Sequence, residues 1–575
     1  MLTSHATVWH LRRLVSARPA LIAVSLLVSI WSAGLLAQNG AVIVGPVAAP
    51  PPAAATQKCT LTGSVIDSVT GEPVRKALVQ LNGIQRRSAF ADSDGRFLFE
   101  AVPSGSYAVF AQKPGYFNDN ELQLGGTPPI EVGANSTPAV IKLTPESAIS
   151  GTVTSSTGIP LEQVNVSLTY VDIREGRRHW DQTGSTPTDE DGRYRFARLR
   201  PGRYYISTAP HTPVAETTLD QPPKSGFPST YFASAPDLAS ASPVELSAGE
   251  QADADFSLSE VPVYRVSGTI SGYAANQGVS LQLLDQSGVL IPTGYQFSAE
   301  NGRFDLPPLA AGSYVLRASS AANANQQVRA ELPFHLAGDL HNLHLALAPA
   351  PVIPVVVRME GEISSATKTS ANVHGAPIGP PVSVRLISTG PGAHEAFASP
   401  ENPQDPQTIS LRDVEPGRYT AVVEGRESWY VASADYGEAN LLNEDLVVLP
   451  SAASAPLNIV LRNDSSLISG TVNVPDTFKK QVFIVAVQER LSRVAPATTF
   501  WVPSHDPSTP SPEFSLGALA PGEYLVFAFD QPNGLEYSNR EVLDKYSSHA
   551  VRVSLASGQR AKVTLDLIRS EGGAD

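Results

Sequence analysis

One short pattern constrains this chain more than any other feature. Gly-x-Tyr occurs at Gly105/Tyr107, Gly202/Tyr204, Gly312/Tyr314, Gly417/Tyr419 and Gly522/Tyr524, with successive tyrosines 97, 110, 105 and 105 residues apart. Its surroundings recur with it. Ten residues before each tyrosine stands Phe97, Tyr194, Phe304, Ile409 or Phe514, and eight before stands Phe99, Phe196, Leu306, Leu411 or Leu516. Five before comes Val102, Leu199, Leu309, Val414 or Leu519. A period of roughly one hundred residues is the size of a domain, so the chain reads as five similar units in series.

The physics of one unit is legible. Phe97 and Phe99 alternate around Leu98, which places both on one face of a strand. Val102-Pro103-Ser104-Gly105 is a turn, and Tyr107, Val109 and Ala111 alternate again after it. Two strands around a tight turn predict a β-hairpin. A tyrosine just past a Gly turn can bury its ring and hydrogen-bond the backbone, as in the tyrosine corner of immunoglobulin-like sandwiches.

Each unit also opens on an apolar strand centred on glycine: Gly63, Gly151, Gly268, Gly361 and Gly470. Closing strands alternate, as in Ala139–Leu143 and Val563–Leu567. No helical period stands out beyond the N-terminus. Short strands with regular turn signals predict an all-β tandem array of about five Ig-like sandwiches, at 57–145, 146–261, 262–350, 351–462 and 463–575. Polar insertions are expected at Thr208–Val244, Ser364–Gly379 and Thr389–Pro406. Binding would sit in loops, since the strands are occupied with packing. Five modules in series predict an extended rod or curved stalk.

The N-terminus reads as an export signal. Arg12, Arg13 and Arg18 precede the uncharged run Pro19–Ala37. Residues 1–37 are a signal peptide cleaved after Leu35-Leu36-Ala37, or an uncleaved anchor of spanning length. Residues 38–56 form an Ala/Pro linker. The expected location is periplasmic, cell-surface or extracellular, with membrane contact only through an uncleaved N-terminus. A net charge of −14 argues against nucleic acid. The lone Cys59 reads as a small apolar residue near a strand start.

The first module resembles the carboxypeptidase regulatory-like domain. The residues are Gly63-x-Val65, Thr70-Gly71-Glu72-Pro73-Val74, Asp92-Ser93-Asp94-Gly95-Arg96-Phe97, Val102-Pro103-Ser104-Gly105-Ser106-Tyr107 and Lys113-Pro114-Gly115-Tyr116. The second keeps Asp189-Glu190-Asp191-Gly192-Arg193-Tyr194 and Leu199-Arg200-Pro201-Gly202-Arg203-Tyr204. The third keeps only Asn301-Gly302-Arg303-Phe304, and the last two lose the Asp-Gly turn. The resemblance implies a transthyretin-like, carbohydrate-binding-like sandwich that accompanies a peptidase reaction without performing it.

Tests for chemistry come back empty. None of the 11 histidines has Glu three residues later, and no Gly-x-Ser-x-Gly elbow or phosphate-binding loop occurs. His341 and His344 should face opposite sides of a strand. Asp92–Gly95 and Asp189–Gly192 read as turns, with calcium as the alternative. No catalytic residue, metal or cofactor is expected. Trp180, Trp429, Tyr430 and Trp501, with Tyr231, are candidates for stacking on sugar rings. The expected partner is a protein or a glycan of the cell envelope. The leading expectation is a non-catalytic scaffold; a glycan-binding array is the alternative.

Overall fold

The computed structural model describes residues 58–569 apart from internal stretches, the longest at 213–223, 362–381, 490–496 and 503–511. The signal and linker expected at 1–56 lie outside the described residues, as does the insertion at Ser364–Gly379. Residues Gln57–Asp575 group as one unit.

The fold is all-β, and one connection pattern repeats five times. The opening strand of each module lies between an antiparallel and a parallel partner. In the first module Lys58–Asp67 pairs antiparallel with Arg96–Pro103 and parallel with Ala139–Pro145. The opening strands Ser147–Ser155, Val261–Ser271, Ile353–Glu360 and Ser466–Asn473 are placed the same way. A second set of strands faces the first. There Leu78–Asn82 pairs with Gly105–Gln112, and Val482–Gln488 pairs with Gly522–Phe529. Alternating apolar residues of the two sets interleave into a separate core in each module.

The predicted hairpin is a sheet-to-sheet corner. Arg96–Pro103 pairs with the opening strand, whereas Gly105–Gln112 belongs to the facing sheet. The two strands flanking Gly105 therefore pack across the core and share no ladder. The same holds at Gly202, Gly312, Gly417 and Gly522. Alternation predicts an inward face for each strand, and both a hairpin and a corner provide one.

A bulge turns the chain at the corner. Cys59 pairs with Val102 and Leu61 with Phe99, so one extra residue is spliced into the later strand. Ala101 there has φ 53°, and its equivalents Arg198, Asp413 and Ala518 have φ 60°, 56° and 57°. The third module has Pro308 at this position, where φ is held negative, yet it keeps the bulge between Leu306 and Leu309. Gly105, Gly202, Gly417 and Gly522 follow at φ between 142° and 156°, a conformation glycine alone adopts without strain.

The tyrosine then fastens the corner. Hydroxyls of Tyr204, Tyr314, Tyr419 and Tyr524 donate to the carbonyls of Arg200, Ala310, Glu415 and Ala520 at 2.8, 3.0, 2.8 and 2.8 Å. Tyr107 is the exception: its hydroxyl is buried without a hydrogen-bond partner. Tyr204→Phe, Tyr419→Phe and Tyr524→Phe should each cost about 1 kcal/mol, while Tyr107→Phe should be neutral or stabilising, because it removes an unsatisfied buried group. Module-resolved hydrogen exchange under urea separates the four cases.

Gly63, Gly151, Gly268 and Gly470 pair directly with Phe97, Tyr194, Phe304 and Phe514. Each ring lies over its glycine. The fourth module departs from the expected pattern. Its opening strand is Ile353–Glu360, Gly361 falls beyond its end, and Val355 pairs with Ile409. The smaller Ile409 leaves room for a side chain opposite it. The expected loop at Thr389–Pro406 is also corrected: it contains the strand Glu395–Asn402, which pairs with both Val382–Ser388 and Asp405–Leu411 and joins the two sheets. Within Thr208–Val244, Thr230–Tyr231 pairs with Gly202–Thr208.

The fifth module has a second core. Phe483, Val485, Leu525, Phe527 and Phe529 lie on the outer face of its sheet, with Leu535 and Leu543 packed against them. Leu543 comes from the short helix Arg540–Asp544, capped by the Asn539 side chain accepting from the Glu541 N–H. Five residues are too short for a helical period to show in sequence.

Candidate functional site

The second module carries a long hairpin, Asn165–Arg174 with Arg177–Pro187. Its base buries Val166 and Leu168 in the module core. Its tip is Glu175-Gly176 at φ 50° and 70°, two consecutive positive values that suit the twist of a two-residue hairpin.

The tip reaches the fifth module. The Ser538 N–H and Oγ donate to the carbonyls of Gly176 at 3.1 Å and Glu175 at 3.0 Å. Arg178 Nε lies 2.6 Å from Glu536 Oε1. Gly176 sits against the Tyr537 ring so closely that a Cβ would fall 2.5 Å from Cδ2. The same hairpin meets the fourth module: Glu175 pairs with Arg385, and His179 Nδ1 is 3.8 Å from Glu395 Oε1. The second module thus contacts the fourth and fifth, which the expected extended rod or curved stalk does not provide.

Neighbouring modules are also pinned by polar contacts. Tyr231 Oη donates to Asp285 Oδ2 at 3.0 Å, joining the second and third. Half-buried Arg317 of the third reaches Glu415 of the fourth at 2.7 Å, and Arg329 donates to the Asp413 carbonyl at 2.8 Å. Asp413 and Glu415 belong to the fourth module's corner, so a recurring folding element doubles there as a docking element.

Beneath the hairpin tip lies a cleft of about 790 Å³ between the second, fourth and fifth modules. Glu175 and Arg177 form one wall; Trp429, Tyr430, Gln488 and Tyr537 border the rest. Burial, then the Glu175 charge, pushes the Tyr537 hydroxyl up to about 12, so it remains a hydrogen-bond donor at neutral pH. Among the described residues, the lining includes no histidine or cysteine. Its chemistry is that of recognition through paired charges and aromatic edges.

The sequence-predicted aromatics do not form one platform. Trp429 and Tyr430 border the cleft, but Tyr430 is buried and its hydroxyl donates to Asp464 at 3.0 Å. Trp180 packs on Tyr205 with centroids 5.1 Å apart, beside buried Tyr231. Trp501 packs on Phe483 at 4.9 Å and stays 38% exposed.

Other candidates resolve similarly. Asp92 Oδ1 accepts from the N–H groups of Asp94 and Arg96 at 2.9 and 2.8 Å, and Asp189 does the same for Asp191 and Arg193 at 3.0 and 2.7 Å. These carboxylates are engaged in shaping their own turns. His341 and His344 both face solvent, because a register shift separates them. That overturns the expectation of opposite faces. Among the described residues, no three His, Cys, Asp or Glu side chains are grouped to hold a metal, and no helix is long and apolar enough to cross a membrane. Cys59 is buried in the first core.

Burial, then the Arg174 charge, lowers the His179 pKa, against the opposing pull of Glu395, Asp172 and Glu175; Arg385 lies on the same surface of the fourth module. A depressed histidine favours the folded state fully above its unfolded pKa near 6.5, and that contribution falls as pH drops through the lower folded value. Half-buried His211, lowered by desolvation, acts in the same direction. Thermal stability should therefore decline from pH 7 to 5, and His179→Gln should flatten the decline.

The hairpin tip, Arg385 and Tyr537 escaped the sequence reading. Only Glu175-Gly176 between two alternating runs signalled a hairpin, and nothing indicated its targets.

No curated protein matches the chain. Solved structures give likenesses at low identity. The Bacillus anthracis TIE protein is 15% identical with TM-score 0.17 over 51% of this chain; the match spans about half, 51%, of that chain. The Streptococcal ancillary pilin is 15% identical with TM-score 0.17, over 51% of this chain and 100% of its own. GBS52, the minor pilin of Streptococcus agalactiae, is 16% identical with TM-score 0.20, over 36% and 97%. The family comparison agrees with the motifs of the first two modules: residues 60–138 and 148–259 match the carboxypeptidase regulatory-like domain.

Proposed function

We propose that the chain is an exported, non-catalytic scaffold whose modules are held in contact and present inter-module surfaces to a partner protein of the cell envelope. One observation carries this reading. The recurring residues are consumed by the corner of every module and, in four of the five, by the glycine–aromatic pair, while the unshared polar residues gather where modules meet. Export rests on the basic and apolar N-terminal run. Fractionation of cells expressing the tagged full chain, with cross-linking on intact cells, tests it. Recovery outside the cytoplasm with a cross-linked protein supports the scaffold. Cytoplasmic retention, or peptide hydrolysis by the purified chain, overturns it.

A glycan-binding array is the second reading, favoured by Trp429 at the cleft and by exposed Trp501. Retention on a polysaccharide that is lost in Trp429→Ala or Trp501→Ala supports it.

A further inference from the structure

We propose that the Asn165–Pro187 hairpin is a reversible ionic strap, which closes the second module onto the fourth and fifth at low ionic strength and releases them as salt rises. The inference stands apart from the identity of any partner. Three observations carry it.

The docking surface is mainly polar. Its ion pairs are Arg178–Glu536 and Glu175–Arg385, with His179 3.8 Å from Glu395 as a further polar contact, and its apolar contact is Gly176 on the Tyr537 ring. Arg178 and Glu175 keep 49% and 54% of their side-chain surface exposed while their partners Glu536 and Arg385 keep 15% and 19%, so salt reaches each pair from the hairpin side. The modules' cores, by contrast, are apolar and separate. The weakest link in this part of the molecule is therefore the docking contact.

The hairpin is complete without its targets. Its strands pair from Asn165↔Pro187 to Arg174↔Arg177, and its turn closes on its own backbone angles. The first of these strands is also laddered to Gly202–Thr208 from Val166 to Val171, so the hairpin is fixed to its own module. Release breaks none of these ladder bonds, so undocking is a two-state event in which the second module moves with its hairpin.

Docking also builds a wall of the cleft. Glu175 and Arg177 line it together with Trp429 of the fourth module and Tyr537 of the fifth. Release exposes those aromatic side chains, so the strap sets access to the cleft.

The Ser538 amide reports closure directly, because its acceptor is the Gly176 carbonyl. Hydrogen exchange on the full chain should show peptides covering Leu535–Tyr546 exchanging about tenfold faster in R178A/R385A at low salt. Wild type should approach that rate in high salt. Glu175→Arg alone should open the strap, and adding Arg385→Glu should restore protection, an outcome that misfolding would not give. Peptides from the second core, including Val153 and Ile206, should stay protected throughout. Unchanged exchange at Leu535–Tyr546 in the variants and in salt would overturn the proposal. So would loss of protection across the whole second module, which would make the hairpin a packing element.

Discussion

Gly268→Ala is expected to destabilise the third module by about 3 kcal/mol, the upper part of the range for forced overpacking. An alanine Cβ there would lie 2.1 Å from the Leu343 carbonyl oxygen and 2.8 Å from Phe304 Cε1. The first is backbone of the parallel partner strand and cannot swing away. The second is a fully buried ring at the centre of the core. Relief therefore requires the opening strand to separate from a partner, which breaks ladder bonds. Equivalent clashes await Gly63, Gly151 and Gly470, where the nearest backbone oxygens are 2.3, 2.1 and 1.9 Å away. Module-resolved hydrogen exchange in rising urea is the suitable measurement, since five cores in one chain do not unfold as one two-state system.

Phe527→Ala should cost the fifth module about 3–5 kcal/mol, the range for removing a fully buried aromatic ring. Phe527 is three residues past Tyr524 and points away from the sandwich core, yet it is 0% exposed. Leu535 and Leu543 join it in the outer cluster, and its ring stacks on Phe529 at 5.8 Å. The first module has Phe110 at the same offset from Tyr107, half-exposed on a face without such a helix. Phe110→Ala should cost only about 1 kcal/mol, in proportion to the smaller area removed from water. A similar cost at both positions would mean that the helix Arg540–Asp544 does not shield the sheet.

Much of the fold was legible because its constraints are local. Alternation exposed the strands, and the offsets from each tyrosine exposed the repeat. The hairpin expectation failed for a physical reason. Phe97 and Phe99 face inward in either arrangement, and the partner strand that distinguishes them, Lys58–Asp67, is some forty residues earlier. The bulge was equally hidden, because Ala101, Arg198, Asp413 and Ala518 share a backbone angle while their side chains range from methyl to guanidinium and carboxylate. Gly361 misled by position alone. The glycine is required only opposite an aromatic ring, and Ile409 had already removed that requirement.

The candidate site was less legible than the fold. Trp429 and Tyr430 were found as aromatic candidates, and the structure sets them at a cleft whose other walls come from the adjoining fifth module and the distant second. Arg178 and Glu536 are 358 residues apart. No periodicity connects such positions, and the hairpin that joins them owes its length to the second module alone.

If the recurring residues build five separate cores, hydrogen exchange on full-length Gly268→Ala accelerates only in the strands from Val261–Ser271 to Leu340–Ala346, with the other four cores as protected as in wild type. Simultaneous loss of protection in all five modules, or no loss in the third, would contradict it.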